Sequence, residues 1–134
     1  MALVVDASVA LKWLVAEDGS ADALALRSDN DLFAPDLLLI ECRNALLTKV
    51  RSGYLSVNEA HRAENDIDTC GLAILPSAPL LRQAFGIATD LGEPIYDCIY
   101  LVAAIATNCT LITADERFMR KVQKSAMQGR IRLL

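Results

Sequence analysis

Leu3-Val4-Val5-Asp6-Ala7-Ser8-Val9-Ala10-Leu11 is the stretch on which the fold class turns. Three apolar residues, two of them β-branched, make a short buried strand. An acid follows at once, and Ser8 is placed to cap a helix beginning at Val9-Ala10-Leu11. The same grammar recurs along the chain. A helix is expected over 20–28, a brief strand over 32–34 closed by Pro35, and a long helix over 36–51, with Gly53 where a left-handed cap belongs. Ser56-Val57-Asn58-Glu59 matches a capping box, opening a helix to about Thr69. A strand over 72–75 precedes a helix over 79–91 that Gly92 stops. Residues 95–107 read as a helix apolar nearly all round, hence buried, with Asp97 in its first turn. Thr110-Leu111-Ile112-Thr113 is a strand followed directly by Ala114-Asp115, after which 116–126 is helical and 130–134 forms a last strand.

Apolar strands alternating with helices, without repeats or linkers, predict an α/β protein. The form is a three-layer α/β/α sandwich on a mainly parallel sheet of four or five strands, one domain over residues 1–134. In such sheets ligands bind beyond the carboxyl ends of the strands, at the topological switch point. Asp6 and Asp115 stand there.

A 54% hydrophobic content and a mean hydropathy of +0.33 exclude a disordered chain. The longest apolar stretch, 99–106, is too short to span a bilayer, and the amino terminus has no basic leader, so a cytoplasmic protein without membrane contact is expected. Cys42, Cys70, Cys98 and Cys109 lack C-x-x-C spacing and read as small buried hydrophobes. His61 is the lone histidine, which disfavours histidine-rich zinc sites and histidine-based nucleophilic catalysis. Net charge is −4 but unevenly spread: residues 1–116 hold seven basic and all seventeen acidic side chains, and 117–134 hold six basic and none acidic. Arg117, Arg120, Lys121, Lys124, Arg130 and Arg132 therefore form a basic pole suited either to a phosphate backbone or to an ordinary solvated face.

Four acids occupy places that an apolar environment penalises. Asp6 follows Val4-Val5, Glu41 interrupts Leu37-Leu38-Leu39-Ile40, Asp97 opens the buried helix, and Asp115 follows Leu111-Ile112-Thr113. Burying an unpaired carboxylate costs several kcal/mol, and basic residues are mostly not nearby in sequence. A divalent cation resolves the conflict, since Mg²⁺ and Mn²⁺ prefer hard oxygen ligands. Taken singly, each acid has a structural reading: Asp6 and Asp115 as turn or cap residues, Asp97 as a helix-start acid, Glu41 as an ion-pair partner. Glu41 and Asn44 share a helix face with Leu37 and Thr48, and Ser8 and Thr113 can donate hydrogen bonds that fix a neighbouring carboxylate.

Val4-Val5-Asp6-Ala7-Ser8, Glu41-x-x-Asn44-x-Leu46, Tyr96-Asp97-x-x-Tyr100-x-x-Ala103 and Leu111-x-Thr113-x-Asp115-x-x-Phe118 together resemble the PIN domain, specifically the VapC toxin ribonucleases of bacterial and archaeal toxin–antitoxin pairs. The resemblance covers nearly the whole chain. It implies an α/β/α sandwich and Mg²⁺- or Mn²⁺-dependent endoribonuclease activity. Asp6, Glu41, Asp97 and Asp115 fall on the family's acidic positions, and Ser8, Asn44 and Thr113 on its supporting polar ones. Glu116 is adjacent to the last acid but is not assigned as a fifth.

On this reading Asp6, Asp97 and Asp115 are the metal ligands, direct or through water, and Glu41 orients the attacking water or assists its deprotonation. Hydrolysis then leaves a 5′-phosphate and a 3′-hydroxyl. RNA is the substrate, with tRNA and rRNA loops as natural targets, and Trp13 or Phe118 is a base-stacking candidate although core packing suits both better. The resemblance further implies a homodimer and a cognate VapB-like antitoxin, giving a heterotetramer or larger, with Val9, Leu14, Leu24 and Leu26 as candidates for the docking groove. Two other readings compete: a non-catalytic PIN-fold scaffold that binds RNA or protein, and a phosphoaspartyl receiver- or phosphatase-like domain using Asp6. The latter lacks the usual Asp-x-Asp, since Ser8 holds the third place.

Overall fold

Strand β1 (Ala2–Val5) lies at the centre of a parallel five-stranded sheet in the computed structural model, which describes residues 1–134. The strand order is β3-β2-β1-β4-β5, with β2 at Asp31–Pro35, β3 at Ala73–Leu75, β4 at Thr110–Thr113 and β5 at Ile131–Leu133. All four neighbouring pairs are parallel. The chain lays β2 and β3 down on one side of β1, then crosses to place β4 and β5 on the other. The switch point therefore falls between β1 and β4, where Val5 pairs with Ile112. Leu3, Val4, Val5, Leu111 and Ile112 are at most 1% exposed, which is why these strands read as unbroken apolar runs.

Seven helices flank the sheet: α1 (Ala7–Leu14), α2 (Ser20–Asp29), α3 (Leu37–Arg51), α4 (Val57–Ile67), α5 (Leu81–Leu91), α6 (Ile95–Ala106) and α7 (Glu116–Gln123). The architecture is the expected α/β sandwich, with five strands and none antiparallel. Helix α6 packs across β1, β2 and β4, and its run from Cys98 to Ala104 is wholly buried, so the all-apolar helix is a core helix. The four cysteines are free and buried. No helix is long and apolar enough to cross a membrane.

Local boundaries moved where tertiary contacts or caps override pattern. Ser8 does not cap α1; Asp6 does, accepting from the Val9 N–H, because the helix starts at Ala7, two residues earlier than expected. Pro79 lies in a 3-10 turn, Ala78–Leu80, that leads into α5, a first-turn position where its missing N–H costs nothing. The capping box forms with both Ser56 and Glu59 engaged, and α4 ends at Ile67 rather than about Thr69. Gly92 closes α5 at φ 65° and Gly53 follows α3 at φ 79°, left-handed angles that suit glycine.

Candidate active site

Asp6 and Asp115 leave adjacent strands at the same end of the sheet and each caps the helix that follows: Asp6 accepts from Val9 N at 3.2 Å, and Asp115 from Phe118 N at 3.0 Å. Their structural and chemical readings are thus not exclusive, since a cap uses one lone pair and leaves others. Asp6 is 6% exposed. Ser8 Oγ donates to its Oδ1 and Thr113 Oγ1 to its Oδ2. The same two hydroxyls accept backbone N–H groups from the loop after β4, Ser8 from Ala114 N at 2.9 Å and Thr113 from Asp115 N at 3.0 Å. One small network therefore locks the ends of β1 and β4 together. Burial pushes the Asp6 carboxyl above its ordinary value, and the hydrogen bonds from Ser8, Thr113 and Val9 oppose that rise without cancelling it.

Asp97 enters from the first turn of α6 and Glu41 from α3. Asp97 is pushed up to about 6, first by burial and then by the charges of Asp115, Asp6, Glu41 and Glu93. Asp97 thus lies within electrostatic range of the other three acids, which come from three separate segments. Tyr100, 1% exposed and one helical turn beyond Asp97, donates its hydroxyl to Glu41 Oε1 at 2.6 Å. None of the four acids takes part in a salt bridge. As the side chains lie, no three acidic, histidine or cysteine groups come close enough together to hold a metal ion. Hard oxygen donors without internal cations fit a divalent metal.

The supporting residues separate into two kinds. Ser8 and Thr113 bond Asp6, whereas Asn44 is exposed and lines a groove with Leu37, Ile40, Glu41, Ala45 and Tyr96, its amide not bonded to any of the four acids. Phe118 is 1% exposed and cannot stack on a base, while Trp13 spends its indole N–H on the Ala23 carbonyl at 2.7 Å, tying α1 to α2. Val9 is fully buried and lines no docking groove; of its proposed companions only Leu24 is largely exposed.

Sequence reasoning missed Glu93. Between Gly92 and Pro94 it looks like a turn acid, yet its side chain is 1% exposed and paired with Arg117 and Lys121. Arg117, hydrogen bonded first and foremost, holds it down at about 2. Two members of the basic pole are thus ion-paired within the fold.

A family model described as "PIN domain" matches residues 3–124. The chain belongs to the PIN domain family. This PIN domain is 31% identical over 124 residues to "Ribonuclease VapC3" of Pyrobaculum aerophilum, across 90% of this chain and 95% of that one. Its fold matches the crystal structure of PAE2754 from Pyrobaculum aerophilum at a TM-score of 0.71, with 24% identity over 90% of this chain and 87% of that one. VapBC2 from Rickettsia felis, solved bound to a DNA fragment from its promoter, matches at 0.67 with 15% identity over 100% and 99% of the two chains.

Proposed function

We propose that this PIN domain is an endoribonuclease requiring Mg²⁺ or Mn²⁺, the toxin of a toxin–antitoxin pair, acting as one unit over residues 1–134. The carrying observation is Asp97, pushed up to about 6 by burial and then by the charges of Asp115, Asp6 and Glu41, with none of the four acids in a salt bridge. Its resemblance in sequence to a protein named a VapC ribonuclease supports the choice of RNA as substrate.

Asp6, Asp97 and Asp115 would hold the metal, which when bound neutralises charge on the phosphate oxygens and makes water a competent nucleophile near neutral pH. Ser8 and Thr113 fix the Asp6 carboxylate in one rotamer, so its free lone pairs point in a set direction. Glu41, anchored through Oε1 by Tyr100, keeps Oε2 free to orient the attacking water and accept its proton. With no histidine at the site to run ribose 2′-hydroxyl chemistry, the products are a 5′-phosphate and a 3′-hydroxyl. Ile40, Phe85 and Tyr96 are 69%, 64% and 56% exposed, apolar surface of the kind that a VapB-like antitoxin or a second copy in a homodimer would cover.

Purified protein incubated with total RNA and Mg²⁺ or Mn²⁺ tests the reading, beside Asp97→Asn and an EDTA control. Cleavage lost in both controls is the expected result. Intact RNA in every lane would instead make this PIN domain a scaffold.

A further inference from the structure

Beyond the four-acid site the molecule buries one more carboxylate, and gives it more positive charge than it needs. Arg117 grips Glu93 with both ends of its fork, Nη1 to Oε1 at 2.7 Å and Nη2 to Oε2 at 3.0 Å. Lys121 Nζ lies 3.0 Å from Oε1 and also donates to the Leu91 carbonyl at 3.3 Å. Desolvating Glu93 demands a cation, and a bidentate arginine satisfies both of its oxygens. Lys121 is surplus to that requirement. Both cations remain open to water, with side chains 59% and 43% exposed against 1% for Glu93.

The position of this triad is as informative as its charge. Glu93 stands four residues before Asp97, and Arg117 two residues after Asp115, so the triad is tied to the segments that carry two of the site's acids. Arg117, held first by Glu93, also lies within electrostatic range of Asp115 and Asp97. It also occupies the first turn of α7, where the helix dipole disfavours a cation. Arg117 and Lys121 then follow at i and i+4 along one face of α7, and Lys124 caps its carboxyl end, a ridge of about 10 Å at 1.5 Å per residue. An RNA strand placed with one phosphate at four carboxylates passes through a repulsive field on either side of it. Cations held rigid beside that field offset the repulsion without losing side-chain freedom on binding.

We infer that Glu93, Arg117 and Lys121 form a phosphate clamp at the edge of the carboxylate site, in which buried Glu93 positions the two cations and they grip the RNA backbone phosphate next to the one being cut. The clamp rests on the nuclease reading and adds to it the contact that seats the substrate. Arg117 spends two of its five N–H donors on Glu93, leaving three for a phosphate.

The test must separate a clamp from cations that merely neutralise Glu93. Binding of a fluorescent single-stranded RNA is followed by anisotropy over a range of salt, in the Asp97→Asn background so that nothing is cut. Glu93→Gln removes the buried charge, and with it any internal need for Arg117. Adding Arg117→Gln to Glu93→Gln is expected to weaken binding about fivefold at about 0.1 M salt and to lower the slope of log K against log salt by about 0.7, the contribution of one single-strand phosphate contact. Lys121→Gln alone leaves Arg117 on both Glu93 oxygens, so a comparable loss at an unchanged melting temperature is expected; this variant carries the test if the combined one fails to fold. Unchanged affinity and slope in these variants overturn the clamp. If the wild type cuts RNA while they bind normally, the clamp alone is lost. A wild type that neither binds nor cuts RNA sinks the nuclease reading and the clamp together.

Discussion

Tyr100 has one polar atom, and it spends that atom on Glu41. Burial and this hydrogen bond push the phenol well above its ordinary value, so it remains a donor at any pH the fold survives. Tyr100→Phe keeps the ring and its packing but frees the Glu41 carboxylate to rotate. A hydrogen bond to a charged group is worth about 1.5–3 kcal/mol, so kcat for RNA cleavage is expected to fall roughly tenfold or more, with KM little changed. An unaltered kcat in the variant would remove Glu41 from the proton-handling role. Asp97 gives a second residue-level expectation. Its carboxyl is pushed up to about 6 from 3.8, and a group whose pKa rises on folding favours the fold while protonated. Metal-free protein should therefore lose stability as pH climbs from about 4 to about 6 and level off above that, as read by chemical denaturation. The four acids were legible in the sequence because each interrupts an apolar run. Glu93 was not, because Gly92-Glu93-Pro94 has the composition of an exposed turn and nothing local reveals that Arg117 folds over it.

At the scale of elements, α6 has two tasks: it fills the core between β1, β2 and β4, and it carries Asp97 and Tyr100 to the site. Leu101, fully buried on this helix, bears only on the first. Leu101→Ala is expected to cost about 2–5 kcal/mol in urea denaturation, with kcat retained wherever the variant is folded, since neither Asp97 nor Tyr100 changes. A fall in kcat at full foldedness would show that core packing itself tunes the site. The element pattern was read well where periodicity, a capping box or a glycine stop marked it, as in α3, α4 and α5. It was read less well at the start of α1, because Asp6 and Ser8 are both good caps and only the turn from β1 decides between them.

At the scale of the molecule, the switch point between β1 and β4 brings together acids spread from Asp6 to Asp115. Their mutual repulsion is a standing cost of the fold that a bound cation would offset. Mg²⁺ or Mn²⁺ at about ten times its Kd is expected to stabilise the protein by about 1.4 kcal/mol, raising Tm by about 4 °C. Protons compete for the same oxygens, so this rise should fade below about pH 6. Differential scanning fluorimetry with and without metal, at pH values on both sides of 6, checks both; a Tm indifferent to metal at neutral pH would remove the carboxylates as ligands.

The sequence by itself determined the alternation of strands and helices, the parallel sandwich and the burial of α6, and it singled out four acids set against apolar runs. All of these follow from the period of apolar residues and from the cost of putting charge among them, which are properties of neighbours along the chain. Only the tertiary structure decided that Tyr100 meets Glu41, that Ser8 and Thr113 share Asp6, and that Glu93 is buried beneath Arg117 and Lys121. Those contacts join residues up to 107 positions apart, and a hydrogen bond or ion pair is set by the distance between atoms, which separation along the chain does not encode.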